Sequence, residues 1–360
     1  MRLNYTSSAD TLSAAAIAFD NAACCVLSTR RTLCVFDVGS GQRRYCSARG
    51  EAFTAVAQLG SSSLLAVVPR TLPRAVQVLN TTDGKVMRQI NCRTAVLAVR
   101  MTRDRLVVRL RAAAHVFDLD TLECLVTVEC GHASGAACAL SPPAVMVFNV
   151  GTAKMRLRRV QPLLVLPSAQ TAGSVDVIDA ATLRLIRVVA AHQTDVACLA
   201  LSADGALLAT ASTRGTVIRV FSLVDASASK VASFRRGRTR ARITTMRFSD
   251  DGRYLVVGSA SPTVHVFALG ARRADGSAAS RARAVVCLQA QPGCAACAFC
   301  ALRPEDRGSA RRKRICIIST SGDLALFTIT EPSEPGQPFD ARLDAQHRLD
   351  VAKRGGDDGS

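Results

Sequence analysis

Val35-Phe36-Asp37 returns along the chain as Val78-Leu79-Asn80, Val116-Phe117-Asp118 and Val177-Ile178-Asp179, then as Val220-Phe221, Val266-Phe267 and Leu326-Phe327. Each copy closes an alternating run of β-formers with an apolar pair, commonly followed by a polar turn. The second apolar residues stand at 36, 79, 117, 178, 221, 267 and 327, giving spacings of 43, 38, 61, 43, 46 and 60. Most match the roughly 40 to 45 residues of a four-stranded propeller blade, and the two long ones place insertions in 132–174 and 268–315. Asp204-Gly205 and Asp251-Gly252, 47 residues apart, are strong hairpin signals within consecutive units. A sandwich does not repeat its own sequence seven times, whereas a ring of blades must. The expectation is therefore an all-β, seven-bladed β-propeller of WD-repeat type, divergent because the chain has no Trp. The propeller is expected over 1–331. Pro332, Pro335, Gly336 and Pro338 then read as an exit linker, and 332–360 as a linker with a flexible tail.

Composition narrows the function. The 360 residues are 49% hydrophobic and 21% charged, with mean hydropathy +0.19, enough for a large core and incompatible with wholesale disorder. A net charge of +18 points to an anionic partner, lipid surface or nucleic acid. No uncharged apolar run reaches the roughly 18 to 20 residues of a spanning helix, and Arg2, Asp10 and Asp20 break the order of a secretory signal, so a cytosolic protein is expected. The fourteen Cys then read as free, mostly buried thiols. Cys294, Cys297 and Cys300, with Cys287 upstream, have the outline of an iron–sulfur or zinc run. A strand there would split the sulfurs between two faces, and no fourth ligand follows at ligand spacing, so small buried strand residues are the preferred account. Cys130 with His132 is read the same way. No metal and no cofactor are expected.

The region from His192 to Phe267 carries the candidate site. Ser212 to Ser259 and Thr216 to Thr263 are both 47 residues, so a Ser-x3-Thr pair occurs in each of two consecutive blades. Arg219 and His265 each stand two residues before their anchor aromatic, and Phe234-Arg235-Arg236-Gly237 lies between them. In an extended segment successive side chains point to opposite sides, so Arg235 and Arg236 serve two pockets. Phosphate capture suits such a pair: Arg brings charge and a planar fork, Ser and Thr bring short neutral donors, and Gly215 and Gly237 let the backbone approach. The plainer alternative is that Ser and Thr are ordinary in propeller strands and Arg pairs ordinary in a basic chain. His265, and similarly His192, also reads as a strand residue capped by a neighbour.

Phe234-Arg235-Arg236-Gly237 resembles the F/L-R-R-G signature of the PROPPIN family, and Ala209 to Phe221 resembles that family's fifth blade. Further similar blocks begin at Thr94, Gly135, Ala191 and Thr263, and Gln346 to Asp350 resembles the tail of animal members, so the likeness covers about Phe53 to Asp350. The resemblance implies a non-catalytic peripheral membrane protein of phagophore, preautophagosomal and endolysosomal or vacuolar membranes. It would bind phosphatidylinositol 3-phosphate and phosphatidylinositol 3,5-bisphosphate in two adjacent-blade pockets. The first would use His192, Thr194, Ser212, Thr216 and Arg235, with Arg219 beside it; the second would use Arg236, Ser259, Thr263 and His265. The implied partners are the autophagy lipid-transfer protein and the scaffold of the lipid-conjugation machinery, with Arg103 and Arg105 as contact candidates.

One departure concerns the family's long aromatic anchor loop. Here Leu269 to Ala282 is short and lacks aromatics, and Arg272, Arg273, Arg281 and Arg283 are expected to rest on headgroups rather than insert. Arg311-Arg312-Lys313-Arg314 either adds to that contact or is a solvated hairpin tip. The rival reading is a basic propeller scaffold for nucleic acid or proteins. Nucleic acid is not expected, because 4% aromatics leave few stacking platforms. An enzyme is not expected either, since no P-loop, G-x-S-x-G or HExxH motif occurs.

Overall fold

The computed structural model describes residues 17–18 and 23–349, apart from 30–31, 48–49, 132–136, 142–160, 225–226, 270–278, 283, 291, 303–310 and 335–336. All regular elements among them are strands, arranged in seven sheets that are antiparallel throughout except at one rim strand of blade 5. In blade 5, for example, Val196–Leu201, Leu207–Ser212, Val217–Ser222 and Lys230–Arg235 follow one another from the inner to the outer edge. Inner strands of successive blades touch in order, and Ile17–Ala18 of blade 1 meets Cys294–Cys300 of blade 7, which closes the ring of a seven-bladed β-propeller.

The core explains why the sequence repeats. Seven apolar clusters fill the seven interblade layers. Strands second and third from the axis are covered on both faces, hence unbroken apolar runs such as Leu64–Pro69; outer strands such as Cys124–Glu129 are covered on one face and alternate. Each anchor residue falls in a different layer, against the preceding blade: Phe36 with blade 7, Leu79 with blade 1, and so on to Phe327 with blade 6. In six blades a β-bulge falls inside the apolar pair where the third strand meets the outer one, as between Val220 and Phe221. The bulge adds twist at the rim. The two Asp-Gly hairpins are built alike. Gly205 and Gly252 have φ of 64° and 67°, and Ser202 and Ser249 each donate an Oγ–H bond of 2.6 Å to the Asp carboxylate two residues on.

Two expectations are corrected. The propeller does not end at 331: Asp340–Arg348 is the outer strand of blade 7, paired from Asp340 with Thr330 to Asp323 with Arg348. Pro332 and Pro338 thus lie between the third and outer strands of blade 7 rather than in an exit linker, and Pro335 and Gly336 lie outside the described residues. The strand is exposed along most of its length and its only apolar residues are Ala341, Leu343 and Ala345, so its hydrophobic signal is weak. The second correction concerns the segment read as a loop after Phe267. Its end, Ala279–Ala282, runs parallel to Lys230–Arg235 as a fifth strand on the rim of blade 5 and covers an otherwise bare edge.

Candidate functional site

The signature segment sits where blade 5 hands over to blade 6. Phe234 is buried and stacks on Phe267, the anchor of blade 6, with centroids 4.6 Å apart and planes at 19°. Arg235 ends the outer strand opposite Val217 and is exposed. Arg236 is half-buried. Its backbone N–H donates to Thr216 O at 3.0 Å, its Nε to Gly215 O at 2.7 Å, and its Nη2 to Thr239 O. The two arginines therefore lie in different surroundings, Arg235 exposed and Arg236 tied to the turn before Val217. That turn is close-fitting: Gly215 has φ +63°, and a Cβ there would stand 1.8 Å from Ala241 O. A Cβ on Gly237 would meet nothing within 4 Å, so the chain itself packs closely at Gly215 and leaves open space at Gly237.

Two polar clusters flank this segment. In the first, the His192 ring lies 3.0 Å from Thr210 Oγ1, and Arg219 donates to Ala191 O. Gly173, with φ +79°, cradles the His192–Thr194 turn: its carbonyl accepts from His192 N at 2.8 Å, and a Cβ on it would lie 2.0 Å from His192 O. Ser212 is buried and its carbonyl accepts from Gly215 N at 2.9 Å, while Thr194 and Thr216 are half-buried. In the second cluster, Ser259 is buried with its Oγ 2.8 Å from Ser261 Oγ. Thr263 opens its strand opposite Gln289, and His265 Nδ1 lies 3.3 Å from Cys287 Sγ. Ser212 and Ser259 occupy the same place, each ending the second strand of its blade. Thr216 and Thr263 do not, because blade 6 has a turn shorter by one residue: Thr216 precedes its strand, whereas Thr263 begins one. Sequence reasoning missed Thr210 and Gly173, for which only a polar residue inside an apolar run and a lone glycine stood as signals.

Charge in both clusters comes from arginine. Burial, with the Arg219 charge beside it, pushes His192 down to about 4, and burial with the Arg236 charge also lowers His265. Both rings are neutral donors or acceptors at pH 7. An unfolded His titrates near 6.5, so the unfolded chain takes up a proton that folded His192 refuses between about 6.5 and 4. Stability from this site is complete above about pH 6.5 and falls as the pH drops towards 4, by up to about 3 kcal/mol. Urea titrations of wild type and His192→Asn across that window check it. The variant's stability should be flatter with pH, and an identical slope would contradict the assignment.

Other candidates lie elsewhere or are already engaged. Lys313 pairs with Asp251 at 2.8 Å, Arg314 is buried against Asp344, and Arg311 donates to Ser333. Asp251 precedes the strand that Ser259 ends, so this basic run sits about 20 Å along the blade from the second cluster, at the opposite end. Arg105 bridges Asp118 and Ala180 O across blades 3 and 4, leaving Arg103 exposed. Arg272, Arg273, Arg283 and His132 lie outside the described residues, and Arg281 falls in the rim strand Ala279–Ala282. A bulge after Cys294 corrects the strict alternation expected of the cysteine run. Cys294 and Cys297 share the layer facing blade 6, while Cys300 packs in the layer facing blade 1. Burial holds the Cys297 thiol well above its ordinary value, and among the described residues no three metal-ligating side chains converge.

A model of the PROPPIN family matches residues 43–281. Autophagy-related protein 18 of Dictyostelium discoideum is 38% identical over 216 residues, and that of Ajellomyces capsulatus 37% over 219; each match covers 59% of this chain and 53% or 54% of the relative. The chain thus spans about half the length of these curated relatives. Among solved structures, KlAtg21 in complex with the coiled coil of AgAtg16 is similar at TM-score 0.73 and 23% identity, covering 93% of this chain and 99% of that one. Kluyveromyces lactis Hsv2 is similar at TM-score 0.68 and 18% identity, covering 91% and 96%. At those identities the likeness concerns the fold.

Proposed function

The chain belongs to the PROPPIN family, and from that premise we propose that it is a non-catalytic, peripheral membrane effector of autophagy. It binds phosphatidylinositol 3-phosphate and phosphatidylinositol 3,5-bisphosphate through two rim pockets. Its sites of action are phagophore, preautophagosomal and endolysosomal or vacuolar membranes. The observation that supports this reading is the Arg236 charge beside the neutral His265 ring, next to an exposed Arg235 that ends the outer strand opposite Val217, between two clusters of hydroxyls and neutral imidazoles. The first pocket is His192, Thr194, Ser212, Thr216, Arg219 and Arg235; the second is Arg236, Ser259, Thr263 and His265. Thr210 belongs with the first as the partner that orients His192.

Each pocket supplies one or two cationic donors, and charge-assisted hydrogen bonds contribute roughly 1.5 to 3 kcal/mol net each. A single headgroup is then held with modest affinity, and two pockets facing one bilayer raise the total through effective concentration. Autophagy lipid-transfer and conjugation-scaffold proteins dock on the remaining blades. The coiled-coil complex of KlAtg21 supports a protein-docking role for this fold.

Flotation with liposomes of phosphatidylinositol, its 3-phosphate, its 4-phosphate and its 3,5-bisphosphate tests the lipid reading. The protein is expected to float with the two lipids phosphorylated at position 3 and to leave the 4-phosphate largely behind. Equal flotation with every phosphorylated lipid would reject pockets that read headgroup geometry and favour a general basic scaffold.

A further inference from the structure

Between Gly205 and Ser249 the sequence holds nine Lys or Arg and a single acid, Asp225. Five of those arginines belong to neither pocket: Arg247 lies in the inner strand of blade 6 and Arg242 directly before it, and the other three lie beside the carbonyls that Arg236 bonds. Arg214 lies in the turn between the second and third strands of blade 5, and Arg238 and Arg240 lie in the connection from blade 5 to blade 6. All three are exposed and make no ion pair or hydrogen bond among the described residues. They are also brought together. Gly215, next to Arg214, fits under the carbonyl of Ala241, next to Arg240, and Arg236 bridges Gly215 O and Thr239 O from the other side. Arg236 is half-buried against carbonyls here, while these three cations are exposed and have no ion pair among the described residues.

We propose that Arg214, Arg238 and Arg240 form a third membrane contact, one that senses the bulk anionic charge of the bilayer rather than the phosphorylation pattern of a headgroup. The proposal rests on the lipid reading above. Its occupant is a phosphatidylserine-rich surface. Because Arg236 is hydrogen-bonded to both segments that carry these arginines, a bilayer reached by the second pocket brings them within about one Debye length, roughly 8 Å at physiological salt, of the same surface. At that range each cation is attracted by the anionic leaflet, and removing three weakens binding on the order of 100-fold at low salt, less as salt rises. Three planar guanidinium groups on short, backbone-fitted connections bring this attraction without any apolar insertion, in a chain whose candidate anchor segment lacks aromatics.

The test uses the full chain and vesicles containing a fixed fraction of phosphatidylinositol 3-phosphate, with and without phosphatidylserine, at low and physiological salt. Wild type is expected to bind more tightly when phosphatidylserine is present, with a gain that shrinks as salt rises. Arg214→Gln/Arg238→Gln/Arg240→Gln should lose that gain and keep its partitioning on vesicles that lack phosphatidylserine. Because all three side chains are exposed, its denaturation midpoint should match wild type, which separates lost contact from lost fold. A triple variant that gains as much as wild type overturns the proposal, as does a wild type indifferent to phosphatidylserine. A triple variant that loses affinity for single-stranded RNA while keeping its phosphatidylserine response also overturns it and assigns the patch to nucleic acid. If wild type responds to phosphatidylserine but does not distinguish the 3-phosphate from the 4-phosphate, the headgroup pockets fail and this contact stands.

Discussion

Gly215→Ala is expected to destabilise the protein by about 3 kcal/mol or more and to take vesicle binding down with it, whereas Gly237→Ala, inside the signature itself, leaves stability within about 0.5 kcal/mol of wild type. At Gly215 two costs add. A left-handed φ of +63° costs an L-residue about 1 to 2 kcal/mol. The new methyl would also stand 1.8 Å from Ala241 O and 3.0 Å from its carbon, backbone atoms that move only if the whole connection between blades 5 and 6 moves. Forced shifts of this kind cost roughly 1 to 3 kcal/mol. Because the Gly215 carbonyl also accepts from Arg236 Nε at 2.7 Å, the displacement carries Arg236 with it. Gly237 has open space and no such φ. Urea denaturation of the two variants, read beside flotation, checks the contrast. A Gly215→Ala protein as stable as wild type would mean that the turn and the connection do not touch. A Gly237→Ala protein that is stable but no longer floats would assign this glycine to close approach by the ligand itself.

The ring was legible in the sequence because its physical cause repeats. Each apolar pair marks one interblade layer, and the layers are equivalent, so seven similar environments select seven similar residue pairs. What escaped notice lacks that cause. Asp340–Arg348 is exposed along most of its length, so its pairing rests on backbone groups, which look alike in every residue. Ala279–Ala282 joins a strand nearly fifty residues earlier, in parallel, and four small or polar residues carry no periodicity from which to read that. In the candidate site, the matching places of Ser212 and Ser259 were legible because each ends the second strand of its blade. The site was misread where the backbone decides: the tether of Arg236 ends on two carbonyls, and the equal spacing of Thr216 and Thr263 hid a turn shorter by one residue.

That tether makes the two signature arginines unequal, and the inequality is measurable. Arg235→Thr is expected to weaken binding to vesicles containing phosphatidylinositol 3-phosphate about 100-fold, because losing one of two pockets removes the gain from effective concentration. Its stability should stay within about 0.5 kcal/mol of wild type, since the side chain is exposed and has no partner among the described residues. Arg236→Thr should lose a similar factor in binding and in addition about 1 to 3 kcal/mol of stability, because Gly215 O and Thr239 O lose their donors at a half-buried joint. Arg236→Lys separates charge from shape: an ammonium is a compact point charge where the guanidinium is a planar fork, so it should recover part of the binding and little of the stability. The double threonine variant should not float. If Arg235→Thr and Arg236→Thr proved equal in both stability and binding, the tether would not be what sets them apart. If the double variant floated like wild type, neither arginine would hold a headgroup.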